Sequence, residues 1–102
     1  MNNTIQYRQA IMTPKADKID DIRQLLIQCE KQISLKKAEG GPISWSASFD
    51  EATSLFYVDS IFANEEELMF HQKNIGSILK EMPPLLAAPL DTTIRSVFTV
   101  AQ

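Results

Sequence analysis

The chain has 102 residues, 44% of them apolar, with 10 Lys and Arg against 13 Asp and Glu, for a formal net charge of -3. That length fits one domain spanning 1–102, and a mildly acidic chain without a Lys/Arg run is a poor partner for nucleic acid or an anionic membrane. A single cysteine, Cys29, excludes an internal disulfide framework and a thiolate metal cluster.

Ile5 to Met12 reads as an extended strand. Its two faces, Ile5, Tyr7, Gln9, Ile11 and Gln6, Arg8, Ala10, Met12, are both partly apolar, as expected of a central strand. Thr13-Pro14 predicts a helix start, with Thr13 as cap and Pro14 at the first helical position. Ile19, Ile22, Leu26, Cys29 and Ile33 then recur at alternating spacings of three and four. They form the apolar stripe of an amphipathic helix of about five or six turns. Gly40-Gly41-Pro42 marks the approach to the next element.

Ile43 to Asp50 alternates strictly. Ile43, Trp45, Ala47 and Phe49 point one way, and Ser44, Ser46 and Ser48 point the other, towards a polar pocket or a solvated edge. A short connection leads to a second strand, Ser54 to Phe62, and the pair predicts a hairpin. Asn64-Glu65-Glu66-Glu67 predicts a capped, acidic helix start. Leu68, His71, Ile75, Ile78 and Met82 supply the stripe, and Pro83-Pro84 the stop. Leu85 to Leu90 is expected to pack over the sheet edge, and Thr92 to Val100 to form the last strand.

The order strand, helix, strand, strand, helix, strand predicts a ferredoxin-like βαββαβ α+β fold. Its four-stranded antiparallel sheet carries both helices on one face. The strands are apolar on both sides, so the other face is expected to pack against a second copy, giving a homodimer through sheet faces. No bilayer-length apolar run and no basic, apolar leader at Met1–Gln6 are read, which predicts a cytoplasmic protein without a membrane partner.

The segment from Phe56 to His71 resembles the antibiotic biosynthesis monooxygenase-like group of dimeric α/β-barrel proteins. A strand ends in an aromatic, Phe62, a capped acidic helix follows, and His71 stands nine residues on. Leu85-Leu86-Ala87-Ala88-Pro89 and the Glu39-Gly40-Gly41 turn are similar as well. The resemblance implies a cavity between sheet and helices for a small-molecule ligand. Among the implied activities is a cofactor-independent monooxygenase acting on an aromatic, quinol or enolisable substrate. Ser60 stands where many members carry Glu, Phe62 where many carry Trp, and the first strand lacks the Asn of haem-degrading members.

His71 is the candidate catalytic residue, as base or hydrogen-bond donor, because imidazole exchanges protons near neutrality. The bland alternative is a core histidine bonded to a backbone carbonyl. Phe62, Phe56, Ser60 and Trp45 are candidate pocket residues, Trp45 otherwise being a bulky anchor in the sheet or the dimer interface. Arg8 and Arg95 lie on expected neighbouring strands and could hold a carboxylate or phosphate together, or else one pairs with Asp59 and the other with Asp91 or solvent. Tyr7 and Tyr57 are core or interface residues or substrate-orienting hydroxyls. No cofactor is expected, since no nucleotide loop and no metal spacing is present. A non-catalytic dimeric binding domain and a structural dimerisation module of the same fold remain open beside the enzyme.

Overall fold

The computed structural model describes residues 4–101; Met1–Asn3, part of the stretch read for a leader, lie outside the described residues. Strand β1 is Ile5–Met12, helix α1 Ile19–Leu35, β2 Ser44–Asp50, β3 Leu55–Phe62, α2 Glu65–Leu79 and β4 Asp91–Val97. A single 3₁₀ turn, Pro83–Leu85, precedes β4. The sheet runs β2-β3-β1-β4, antiparallel throughout, so β1 is central as its two-sided pattern requires.

The register sorts the side chains. Met12 opposes Phe56, Ala10 opposes Val58, and Arg8 opposes Ser60. Trp45 opposes Ser60 and Phe49 opposes Phe56. Directly opposed residues share a face, so these all lie on the side of Met12 and Phe56, which pack with α1 residues Ile22, Leu25 and Leu26. Ile5, Tyr7, Ile11, Tyr57, Asp59, Ile61 and Arg95 lie on the other side, which neither helix covers. The serines of β2 are exposed on an edge strand.

Helix α1 departs from its expected start. It begins at Ile19, behind Lys18, with no side-chain cap, and its 17 residues make about five turns. Thr13 and Pro14 are unavailable to a helix because their backbone pairs elsewhere. Ala87 donates its N–H to the Thr13 carbonyl (2.7 Å), Lys15 donates to Leu85 (2.9 Å), and Pro14 bridges Leu86. Asp20 and Asp21 in the first turn complement the helix dipole instead. The stripe buries Ile22, Leu25, Leu26, Cys29 and Ile33 as its spacing demands. Strand β4 ends at Val97, opposite Ile5, the first residue of β1, and so stops short of Val100.

Helix α2 starts as expected: Asn64 accepts from the Glu67 N–H at 3.0 Å. The Glu67 carboxylate does not close the reciprocal capping bond. It accepts from the Gly41 N–H at 3.0 Å and so ties α2 to the approach to β2. Gly40 has φ +156, and a Cβ there would lie 2.7 Å from Glu67 Oε1 and 3.2 Å from the Phe70 ring. Gln32 and Asn74 join the two helices, with the Gln32 amide donating to Asn74 Oδ1 at 2.8 Å.

Gly40→Ala is expected to destabilise the protein by about 2–3 kcal/mol, through the lost approach of Glu67 and Phe70 and the backbone conformation. Gly41→Ala has open space around its Cβ position and is expected to cost only about 1 kcal/mol, from its φ of +116. Urea denaturation of the two variants checks the order.

Candidate functional site

Between the sheet and the helices lies a cavity of about 190 Å³. Its walls include Arg8, Ser60, Phe62 and Trp45 from the sheet and Cys29, Leu68, His71 and Ile75 from the helices. Each arrives by a simple route. Strand alternation turns Arg8, Ser60, Phe62 and Trp45 to the helix side, and the helical stripe turns Cys29, His71 and Ile75 to the sheet.

His71 is 8% exposed and Ser60 7% exposed. The His71 ring leans on Phe62, with centroids 5.0 Å apart and planes tilted by 58°. Its Nδ1 is buried without a hydrogen-bond partner, so the backbone carbonyl expected of a core histidine is not there. Burial, with the Arg8 charge as a smaller cause, lowers its pKa from 6.5 to about 4. At neutral pH the imidazole is therefore uncharged. The Ser60 hydroxyl reaches only the Arg8 carbonyl, at 3.5 Å. Cys29 is a thiol rather than a thiolate, its pKa pushed up to about 11 by burial.

Arg8 is the cation of the cavity. Its guanidinium donates to Gln6 Oε1 at 3.1 Å, and no ion pair holds it among the described residues. On its other side it borders a polar recess with Gln6, Asn64 and Glu65.

Two residues expected at the site stand elsewhere. Arg95 is on a neighbouring strand of Arg8, but opposite Tyr7, so the two guanidinium groups face opposite sides of the sheet and cannot share an anion. Arg95 stacks over the Tyr7 ring at 4.5 Å. Asp59 pairs with neither arginine: it accepts from the Tyr7 hydroxyl and from the Gln9 amide, the latter at 3.0 Å. That bond to Asp59 is the main reason the Tyr7 pKa is raised. Phe56 faces the helices but lines a separate groove, of about 400 Å³, between α1 and β2. Conversely, Leu68 and Thr92 line the cavity without having been singled out. Leu68 stands one helical turn before His71 in the α2 stripe, which is the signal that could have found it.

Among the described residues, no group of His, Cys, Asp and Glu is arranged to hold a metal ion. No helix there is long and apolar enough to cross a membrane.

Among solved structures, a protein of Mycobacterium tuberculosis matches with a TM-score of 0.80 at 17% identity, over 97% of this chain and 100% of its own. A protein of Caulobacter crescentus, provisionally named an antibiotic biosynthesis monooxygenase, matches with a TM-score of 0.82 at 12% identity, over 95% and 92%. A Nitrosomonas europaea protein of unknown function matches with a TM-score of 0.76 at 18% identity, over 100% and 97%. No family model and no curated protein matches the chain. At these identities the likeness establishes the fold, the ferredoxin-like α+β architecture of antibiotic biosynthesis monooxygenase-like structures.

The lowered His71 pKa links stability to pH. The unfolded chain takes up a proton near 6.5 and the folded one only near 4, so stability is full above 6.5 and declines as pH falls from 6.5 to 4. The expected loss is on the order of 3 kcal/mol. His71→Leu should flatten that part of the curve, as urea denaturation from pH 4 to 7.5 would reveal.

Proposed function

We propose that this chain, as one domain, is a small-molecule enzyme of the antibiotic biosynthesis monooxygenase-like group. In this reading it is a cofactor-independent monooxygenase acting on an aromatic, quinol or enolisable compound. The observation that carries the reading is the buried, unpartnered Nδ1 of His71 in a residue lining a small, largely apolar cavity. Leaving such a nitrogen unpaired costs about 1–3 kcal/mol. A ligand oxygen would relieve that cost, and so turns a folding liability into binding energy. The names of several matching structures support the same reading.

The roles follow from the charges. A base of pKa about 4 is a poor acceptor for a phenol proton, since phenols ionise near 10. Neutral His71 therefore serves as a hydrogen-bond partner of the substrate oxygen rather than as a standing base. Arg8 is the group that favours the phenolate or enolate, because its charge is not neutralised by a carboxylate. Phe62 and Trp45 hold the ring, and Ser60 leaves room beside Arg8. A phenol or enol that enters as its anion, its proton already lost to solvent, gives one electron to dioxygen. The substrate radical and superoxide combine in a C–O bond, and the peroxide takes up a proton. Its O–O bond then breaks with loss of water to leave the oxygenated product. The protein then contributes orientation, charge stabilisation and exclusion of water.

A second reading, a non-catalytic binding domain of the same fold, is favoured by one observation: no carboxylate lines the cavity. Oxygen-electrode and NMR measurements with a panel of hydroquinones and 1,3-diketones separate the two. The enzyme reading expects a compound that moves the His71 resonances and is consumed with oxygen, at a rate cut about 100-fold or more in His71→Gln. Binding without oxygen uptake, at an affinity His71→Gln leaves intact, would point to the binding domain.

The uncovered sheet face supports a homodimer. Ile5, Ile11, Leu55, Tyr57 and Ile61 lie on a face that neither helix shields, on either side of the polar pair Gln9 and Asp59, and a second copy packed face to face would shield both. Tyr57→Glu, on the inner strand β3, is expected to give monomers in sedimentation velocity at micromolar concentration; a wild-type chain that is already monomeric there would end this part of the proposal.

A further inference from the structure

The groove between α1 and β2 adjoins the His71 cavity, and two residues belong to the walls of both: Leu26 and Trp45. Leu26 is fixed in the helix–sheet core at 4% exposure. Trp45 is half-buried on an edge strand and packs against both hydrophobic clusters of the core. Among the described residues no hydrogen bond holds its indole. Of the two shared residues Trp45 is the less enclosed.

Volume argues that the two spaces belong together. The cavity of about 190 Å³ is near the size that takes a single benzene ring, roughly 150 Å³. It falls below the roughly 300–1,000 Å³ of ordinary ligand sites. The groove, of about 400 Å³, has the room but no unpartnered buried polar atom. Its floor is aromatic and already serves as a stacking platform. The Arg23 guanidinium lies over Phe49 at 5.2 Å and over Phe56 at 5.9 Å, while also reaching Asp20 at 3.4 Å.

We propose that cavity and groove are two halves of one binding site divided by Trp45, and that its ligand is an elongated, largely apolar molecule of two or more rings. The hydroxyl-bearing ring lies beside His71, and the remainder passes Trp45 onto Phe49 and Phe56, where a ring takes the stacking place of the Arg23 guanidinium. The proposal rests on the reading of the His71 cavity given above. It adds the substrate's shape, and it makes Trp45 the residue that sets the accepted length.

The sole tryptophan and the sole histidine report on the two halves separately. Phenol and 4-phenylphenol serve as short and long probes, followed by Trp45 emission and by the His71 resonances. Ala47 lines the groove but not the cavity and is exposed, so Ala47→Phe fills only the outer half, with Ala47→Leu as a milder second variant. Both probes should move His71. The long probe should bind about tenfold or more tighter, from the apolar area it buries, and shift the Trp45 emission. In the Ala47 variants that advantage should fall to about threefold or less, with phenol affinity unchanged. Persistence of the full advantage in both variants, or a Trp45 emission unmoved at saturation with 4-phenylphenol, would overturn the two-part site while leaving the His71 cavity standing. If neither probe moves His71, the cavity reading fails and this inference falls with it.

Discussion

The pairing of β1 between β3 and β4 is the constraint from which the rest of the molecule follows. Because β1 is central, Gln6 must lie opposite Phe62, Arg8 opposite Ser60 and Met12 opposite Phe56. A slip of β1 by one residue would exchange its two faces while β3 kept its own. It would send Arg8 and Met12 away from the helices and bring Tyr7 and Gln9 under them. The polar Gln9 would then sit against the α1 stripe, and the cavity would lose its cation. The outer network in which Asp59 accepts from Tyr7 and Gln9 works against such a slip, since those bonds join β1 to β3 only in this register.

The same constraint explains what could be read in the sequence. Strand alternation and the α1 stripe depend on local spacing alone, and Ile5–Met12 and the buried faces of both helices were legible from it. The Asn64 cap was legible for the same reason, being complete within four residues. The start of α1 was not, because Thr13 and Pro14 have good local reasons to open a helix. A distant segment, Leu85 to Ala87, takes their backbone groups instead. The two arginines failed in a related way. Neighbouring strands were inferred correctly, but whether Arg8 and Arg95 share a face depends on the register between β1 and β4, which no local spacing encodes. Phe56 and Trp45 carry the same lesson within one face. Both point to the helices, yet Phe56 borders the groove while Trp45 borders both spaces, a difference set by helix packing rather than by strand alternation.

Electrostatics then narrows what the cavity can do. His71, Cys29 and Arg8 would be a potent set if ionised together, with a thiolate, an imidazole and a guanidinium in one space. Burial prevents it. The thiol is held protonated by a pKa of about 11, and the imidazole is held neutral by a pKa of about 4. Both shifts have the same first cause, the cost of a charge in an apolar interior. Arg8 sits at the border of the cavity, half-buried beside a polar recess.

A site with one fixed positive charge, a neutral ring nitrogen and apolar walls supplies neither a nucleophile nor a strong base. In the proposed function it binds an oxygen-bearing ring, favours its anion and keeps water away. On that proposal the reactivity resides in the bound molecule, and control over the reaction becomes control over which molecule enters and how it lies. The same proposal places functional weight on the walls: on Phe62, whose ring leans on His71, and on Trp45, which borders both spaces. With a single charged side chain in the cavity lining, shape is then the main instrument of selectivity.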